Sequence, residues 1–197
     1  VAHNSKRVPR FKLQDPRFMT SGGFINPDNI IKNLNIPLGS KVADFGSGSG
    51  YFTLLLAEAV GPDGLVSAVD VLQDKLNTIK SAAQARGLLN INYIRGNLEV
   101  LNSSGLDTGS QDMVLLANIL FQSQKKEDIV KEAARVLKPG GELVVIDWEP
   151  SSVFGSKEPG WKISKEDASR LIVGLGFVVV RDLEVASNHW GMVFRKN

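Results

Sequence analysis

Cysteine is absent from the 197-residue chain, which excludes disulfides, thiolate metal sites, a cysteine nucleophile and a redox dithiol. Histidine is nearly absent: with only His3 and His189, an all-protein zinc site is not expected, and no metal is assigned. Long apolar runs are missing as well. The longest uncharged one, residues 171–180, has ten residues, against about 20 for a membrane-spanning helix. The opening VAHNSKRVPR carries neither an apolar stretch nor a small-residue cleavage site, so no secretory signal is expected and a cytoplasmic location is the default. The chain opens on Val1, not on methionine.

What is present suits one compact domain. Hydrophobic residues at 43% and charged residues at 22% lie close to globular averages, which removes disordered and fibrous classes. The formal net charge of +2 hides an asymmetry. Lys6, Arg7, Arg10, Lys12 and Arg17 face only Asp15 in the first 20 residues, so the rest of the chain is net acidic. Residues 1–24 therefore read as a basic N-terminal arm and residues 25–197 as a single domain. Such an arm suits an acidic partner or nucleic acid, or is simply solvated.

Short β-branched runs alternate with helical patterns, the signature of a mainly parallel sheet with crossover helices. KVADF (41–45), LVSAVD (65–70), INYIR (91–95), DMVLLA (112–117) and ELVVID (142–147) read as strands one to five. Their nearly continuous apolar character suits strands covered on both faces. Residues 50–60, 72–86 and 125–137 have apolar residues at helical spacing, closed by GPDG, RG and KPGG, as glycine and proline close helices. Pro27 starts a short helix over 28–34. After the Pro/Ser/Gly-rich residues 150–163, Ser164 and Asp167 begin a capped helix ending near Gly176. Residues 177–186 and 190–196 then form two strands, and the tight Ser187-Asn188-His189 connection makes them antiparallel.

The sharpest motif is VADFGSGSGYFT (42–53), where a strand ends at Gly46 and a helix starts near Gly50. Glycines at 46, 48 and 50 allow positive φ, which costs other residues about 1–2 kcal/mol, and let backbone approach a ligand closely. The spacing is GxGxG, not the dinucleotide GxGxxG. Twenty residues past Gly50, Asp70 ends strand two, where a carboxylate can accept from both ribose hydroxyls or cap the next helix. An adenosine ligand satisfies both motifs.

These segments, with GNLEVL (96–101), DMVLLANILFQ (112–122) and RVLKPGGELVVIDW (135–148), resemble a class I S-adenosylmethionine-dependent methyltransferase over about residues 25–197. The likeness is strongest to the small quinone-biosynthesis and general methyltransferase group, whose chains end in a similar His-aromatic-Gly stretch. It implies an α/β Rossmann-like fold: seven strands in the order 3-2-1-4-5-7-6, strand seven antiparallel, helices on both faces. It further implies S-adenosyl-L-methionine as cofactor. Gly46, Ser47, Gly48 and Gly50 would pass under its methionine part, Asp44 would order the loop, and Asp70 would hold the ribose. Asn97, where relatives often have aspartate, would meet the adenine edge, with Val71 and Leu98 on its faces or simply in the core. Asn118 would offer its carbonyl to the cofactor ammonium.

The implied chemistry is in-line displacement on an activated methyl group, with positioning as the main catalytic contribution. Acceptor-side candidates at the strand ends are Phe121, Gln122, Asp147, Trp148, Glu149, Trp161, His189 and Trp190. His189, in the turn before the last strand, is the candidate general base. A small-molecule acceptor (O-, N- or C-methylation) leads. A protein side chain or RNA is the alternative, favoured by the basic arm, as is a non-catalytic module acting through a partner. ANILF at 117–121 lacks the Asn/Asp-Pro-Pro-aromatic sequence of base amino-methylation, and arsenic chemistry lacks its cysteines. Neither Tyr51 nor Tyr93 is followed four residues later by lysine, which disfavours a short-chain dehydrogenase.

Overall fold

The computed structural model describes residues 25–153 and 160–197; the expected basic arm, 1–24, lies outside them. Asn26 caps the first helix, α1 (Pro27–Leu34), by accepting the Asn29 N–H, and Pro27 occupies its first turn, where a missing N–H costs nothing. Ile30, Ile31 and Leu34 form the buried stripe of α1. The chain then alternates: β1 (Lys41–Phe45), α2 (Tyr51–Val60), β2 (Leu65–Asp70), α3 (Gln73–Arg86), β3 (Ile91–Arg95), β4 (Gln111–Ala117), α4 (Lys126–Val136), β5 (Leu137–Trp148), α5 (Lys165–Gly174), β6 (Phe177–Asp182) and β7 (His189–Lys196).

The seven strands form one sheet in the order β3-β2-β1-β4-β5-β7-β6, as the resemblance implies. β1 to β5 pair in parallel. β7 runs antiparallel to both β5 and β6, which leaves β6 parallel to the first five. Alternation of side chains divides the core in two. Val42, Val66, Ala68, Leu115, Val144 and Ile146 face α1, α2 and α3, while Ala43, Phe45, Val114, Leu116, Leu143 and Val145 face α4 and α5. The strands are buried on both faces in the middle of the sheet. The outer strands β3 and β6 are not, because each has a neighbour on one side only.

Three boundaries differ from expectation. The KPGG stretch does not close α4, which ends when Leu137 donates to the Ala133 carbonyl and passes directly into β5. β5 pairs Gln111 with Leu137 and Met113 with Glu142, so residues 138–141 are accommodated as a bulge, with Gly140 at φ +77°. Glycine and proline signal a break in regular pairing, and here the break lies inside a strand. β6 stops at Asp182 and not at Ala186, although Leu183 still donates to the Gly191 carbonyl. His189 is not a turn residue: it is the first residue of β7 and pairs with Trp148.

Candidate functional site

In a sheet of this topology the C-terminal ends of β1 to β6 and the start of β7 share one rim, where ligands bind at the strand-order reversal between β1 and β4. The expected site residues all belong to the segments that meet at this rim. The glycine turn follows β1, Asp70 ends β2 and Val71 follows it, Asn97 and Leu98 follow β3, Asn118 follows β4, Asp147 and Trp148 end β5, and His189 opens β7.

The glycine turn owes its shape to backbone. Gly46, Gly48 and Gly50 have φ of +75°, +50° and +84°. A Cβ on Gly46 would lie 2.6 Å from Ile119 Cδ1, and one on Gly50 would lie 2.7 Å from Ile79 Cγ1. Gly48 differs: a Cβ there would meet nothing nearer than the Gly46 carbonyl at 3.9 Å. Conformation therefore requires glycine at all three positions, and packing against the β4 end and α3 adds to it at Gly46 and Gly50. Gly46 and Ser47 both donate to the Val69 carbonyl, holding the turn against β2.

Asp70 completes it. Its Oδ2 accepts the Gly48 N–H at 2.9 Å and its Oδ1 the Leu72 N–H at 2.9 Å. Asp70 thus braces the entry to α3 and the glycine turn, and each oxygen retains a lone pair for another donor. Asp44 is buried beneath the turn and accepts the Thr53 hydroxyl at 2.6 Å, tying β1 to α2. Burial pushes its carboxyl up to about 6; the nearby Asp70 adds to this and the Thr53 bond opposes it.

On the β3 side, Asn97 is exposed and its Oδ1 accepts the Glu99 N–H at 3.0 Å, so its amide nitrogen is the free end. Leu98 is buried in the α4/α5 core, whereas Val71 is exposed. Core packing thus claims Leu98, and of the two only Val71 lies open at the rim. Asn118 adopts a left-handed φ of +56°, a conformation asparagine tolerates better than most residues. Its carbonyl, expected to face a cofactor ammonium, accepts Gln122 Nε2 at 2.6 Å, and its Oδ1 is buried without a partner.

The β5–β7 end is aromatic. His189 and Trp148 stack with ring centroids 3.8 Å apart, and Phe121 meets Trp148 edge-on at 6.4 Å. His189 is 6% exposed, and both of its ring nitrogens lack a hydrogen-bond partner. Burial pushes its imidazole down from the ordinary value near 6.5 to about 4, so the ring is neutral at pH 7. Asp147 is buried and accepts from the Phe121 and Trp148 N–H groups at 3.2 and 2.7 Å. Burial raises its carboxyl to about 6, against the opposing pull of those bonds, of the Leu120 N–H and of Lys126. Its role is to hold the 3-10 turn Leu120–Gln122 against β5. Trp190 leaves the acceptor list, since it is buried in the core and donates to the Ile163 carbonyl at 3.0 Å. Among the described residues no group of three or more His, Cys, Asp or Glu side chains is placed to hold a metal ion.

A sequence profile of the methyltransferase domain family matches residues 42–141, from β1 through the β5 bulge. The chain belongs to the methyltransferase domain family. This methyltransferase domain is 32% identical over 130 residues to the demethylmenaquinone methyltransferase of Geobacillus stearothermophilus, covering 66% of this chain and 54% of that protein. It is 36% identical over 113 residues to the arsenite methyltransferase of Aquipseudomonas alcaligenes, covering 55% and 33%. The chain thus spans about half the length, or less, of these relatives. A solved structure of a SAM-dependent methyltransferase from Aquifex aeolicus superposes with a TM-score of 0.77 at 23% identity, covering 88% of this chain and 90% of that one; it shares the fold.

Two contributors to the rim were not anticipated from sequence. Ile119 and Ile79 shape the glycine turn, and nothing in their local sequence signals it. Glu132, by contrast, left a trace. It falls three residues after Ile129 and four before Val136, on the buried stripe of α4, where a carboxylate needs partners.

Proposed function

We propose that this domain transfers a methyl group from S-adenosylmethionine to a small-molecule acceptor. The observation that carries the reading is the glycine turn braced by Asp70: three positive-φ glycines, open space at Gly48, and a carboxylate with spare lone pairs at the end of β2. Ser47 Oγ and Asn118 Oδ1, both buried without a partner, are on the turns that flank the same crevice and suit a ligand with several polar groups. When bound, the cofactor supplies a methyl group on a positively charged sulfonium; the acceptor atom forms a bond to that carbon as the sulfonium C–S bond breaks, leaving S-adenosylhomocysteine.

In this reading Asp70 accepts the ribose hydroxyls, the Asn97 amide and Val71 meet the adenine, and Asn118 and residues 46–50 surround the methionine portion. Phe121, Trp148 and His189 line the acceptor side. A neutral His189 with a pKa near 4 is a weak base, so it positions the acceptor by hydrogen bonding more than it removes a proton. Holding the two reactants in line supplies the main rate advantage, on the order of 7–11 kcal/mol for well-oriented pairs. The relatives' names point to small acceptors, a quinone precursor and arsenite. Thiolate-mediated arsenic chemistry has no cysteine here, and the aromatic wall suits a flat conjugated ring.

Calorimetry should show binding of S-adenosylmethionine and S-adenosylhomocysteine. A labelled-methyl screen over phenols, hydroquinones, amines, peptides and RNA should then label a small aromatic acceptor. Failure to bind either cofactor form overturns the reading, and labelling confined to peptides or RNA overturns the acceptor class.

A further inference from the structure

The loop between β3 and β4, which carries Asn97, is held less by its own strands than by α4. Glu132, fully buried on α4, accepts the Asn102 N–H on Oε2 at 2.8 Å, and the Ser104 N–H and hydroxyl on Oε1 at 3.2 and 2.5 Å. Arg135, one turn on, donates to both Glu132 oxygens at 2.9 and 2.7 Å, to the Leu106 carbonyl at 2.8 Å and to Ser104 Oγ at 3.2 Å. At the other end of the loop Ser123, just before α4, donates to Glu99 Oε1 at 2.6 Å. Between these anchors the Ser103 hydroxyl donates to the Asn97 carbonyl. An unbroken chain of bonds therefore runs from Glu132 through Asn102, Ser103 and Ser104 to Asn97.

We infer that Glu132 is a positioning residue for adenine recognition, setting the placement of Asn97 through the loop 97–106. The inference rests on the cofactor reading above and goes further, because it assigns base discrimination to a buried side chain on α4 and not to one of the strand-end turns. Several features single out Glu132 for this task. The loop bends through a left-handed Asn102, φ +67°, and Gly96 is packed so that a Cβ would lie 2.5 Å from the Ser103 carbonyl oxygen. Such a shape persists only when surrounding bonds impose it. A carboxylate that accepts from two backbone N–H groups, a hydroxyl and a guanidinium imposes it with charge-assisted bonds, roughly twice as strong as neutral ones.

The test compares Glu132→Gln and Ser104→Ala with wild type, using calorimetric affinities for S-adenosylhomocysteine and for its inosine counterpart, in which the adenine amino group is replaced by oxygen and ring N1 carries a proton, so that N1 no longer accepts from the Asn97 amide N–H. Wild type should prefer the adenine form. Both variants should shrink that preference by about fivefold to tenfold, chiefly by weakening the adenine form, while melting temperatures are recorded in parallel. A merely structural role would lower the melting temperature and leave the preference ratio unchanged, and that result overturns the inference. If Glu132→Gln does not fold, Ser104→Ala decides, since it leaves the Glu132–Arg135 pair intact. Wild type binding both forms equally also overturns it. Wild type binding neither form overturns the cofactor reading itself, and the inference falls with it.

Discussion

The Asp70 carboxylate crosses from the end of β2 to the middle of the glycine turn, where Oδ2 accepts the Gly48 N–H at 2.9 Å. This single bond joins the residue expected to hold a ribose to the turn expected to cradle the rest of the ligand. Removing the carboxylate therefore acts twice. Asp70→Ala should weaken S-adenosylhomocysteine binding about 10–100-fold, the loss expected for one charge-assisted bond of about 1.5–3 kcal/mol. Calorimetry reads it directly. Unchanged affinity would remove Asp70 from the binding site.

The three glycines should not respond alike to an added methyl group. Gly48→Ala meets only the left-handed strain of about 1–2 kcal/mol, since space at that position is open. Gly50→Ala must also displace Ile79, which stands 2.7 Å from the new Cβ, so it should cost more. In an Ile79→Ala background, itself destabilised by the lost core side chain, Gly50→Ala should cost less than it does in the wild-type chain. Urea unfolding of Gly48→Ala, Gly50→Ala, Ile79→Ala and the Gly50→Ala/Ile79→Ala double variant measures this, and equal costs at the two glycines would contradict the packing account.

His189 should imprint itself on the acid side of the stability curve. Its folded-state pKa is lowered to about 4 by burial, whereas the unfolded imidazole titrates near 6.5. As pH falls from 6.5 towards 4 the unfolded chain takes up a proton that the folded chain refuses, so stability is lost across that window. His189→Phe, which keeps a ring against Trp148, should gain melting temperature relative to wild type at pH 5 and gain less at pH 8. The same difference at both pH values would refute the buried neutral imidazole.

His189→Ala should lower the methyl-transfer rate about tenfold or more while cofactor affinity stays constant, once an acceptor is in hand. The wild-type rate profile should show no inflection near pH 6.5 from this residue. An inflection there, abolished by the substitution, would restore His189 as a general base.

Asp147→Asn tests the acceptor-side anchor. The carboxylate accepts backbone N–H groups of Phe121 and Trp148, and a carboxamide presents a donor where one of those donors points. A loss of about 1–3 kcal/mol in stability is expected, with kcat reduced and cofactor affinity kept. Wild-type stability and rate in this variant would remove the anchor role.

The periodicity of apolar residues is a local property, so the amino-acid sequence by itself determined the α/β alternation and the bounds of β1, β2 and β3. The glycine motif and Asp70 were legible for the same reason, since conformational freedom and a strand-end carboxylate are written in the residue types themselves. The full strand order followed from the resemblance, because pairing between strands far apart in the chain leaves no local trace. What only the tertiary structure decided concerns environment. Burial against Trp148 turned His189 from a titrating turn residue into a neutral ring at the head of β7. The bulge at 138–141 absorbed glycines and a proline that read as a helix stop. Trp190 and Leu98 went to the core, and Ile119 and Ile79 came to shape the glycine turn. A residue's charge state and neighbours depend on groups contributed from other elements, and those meet only once the sheet has closed over its helices.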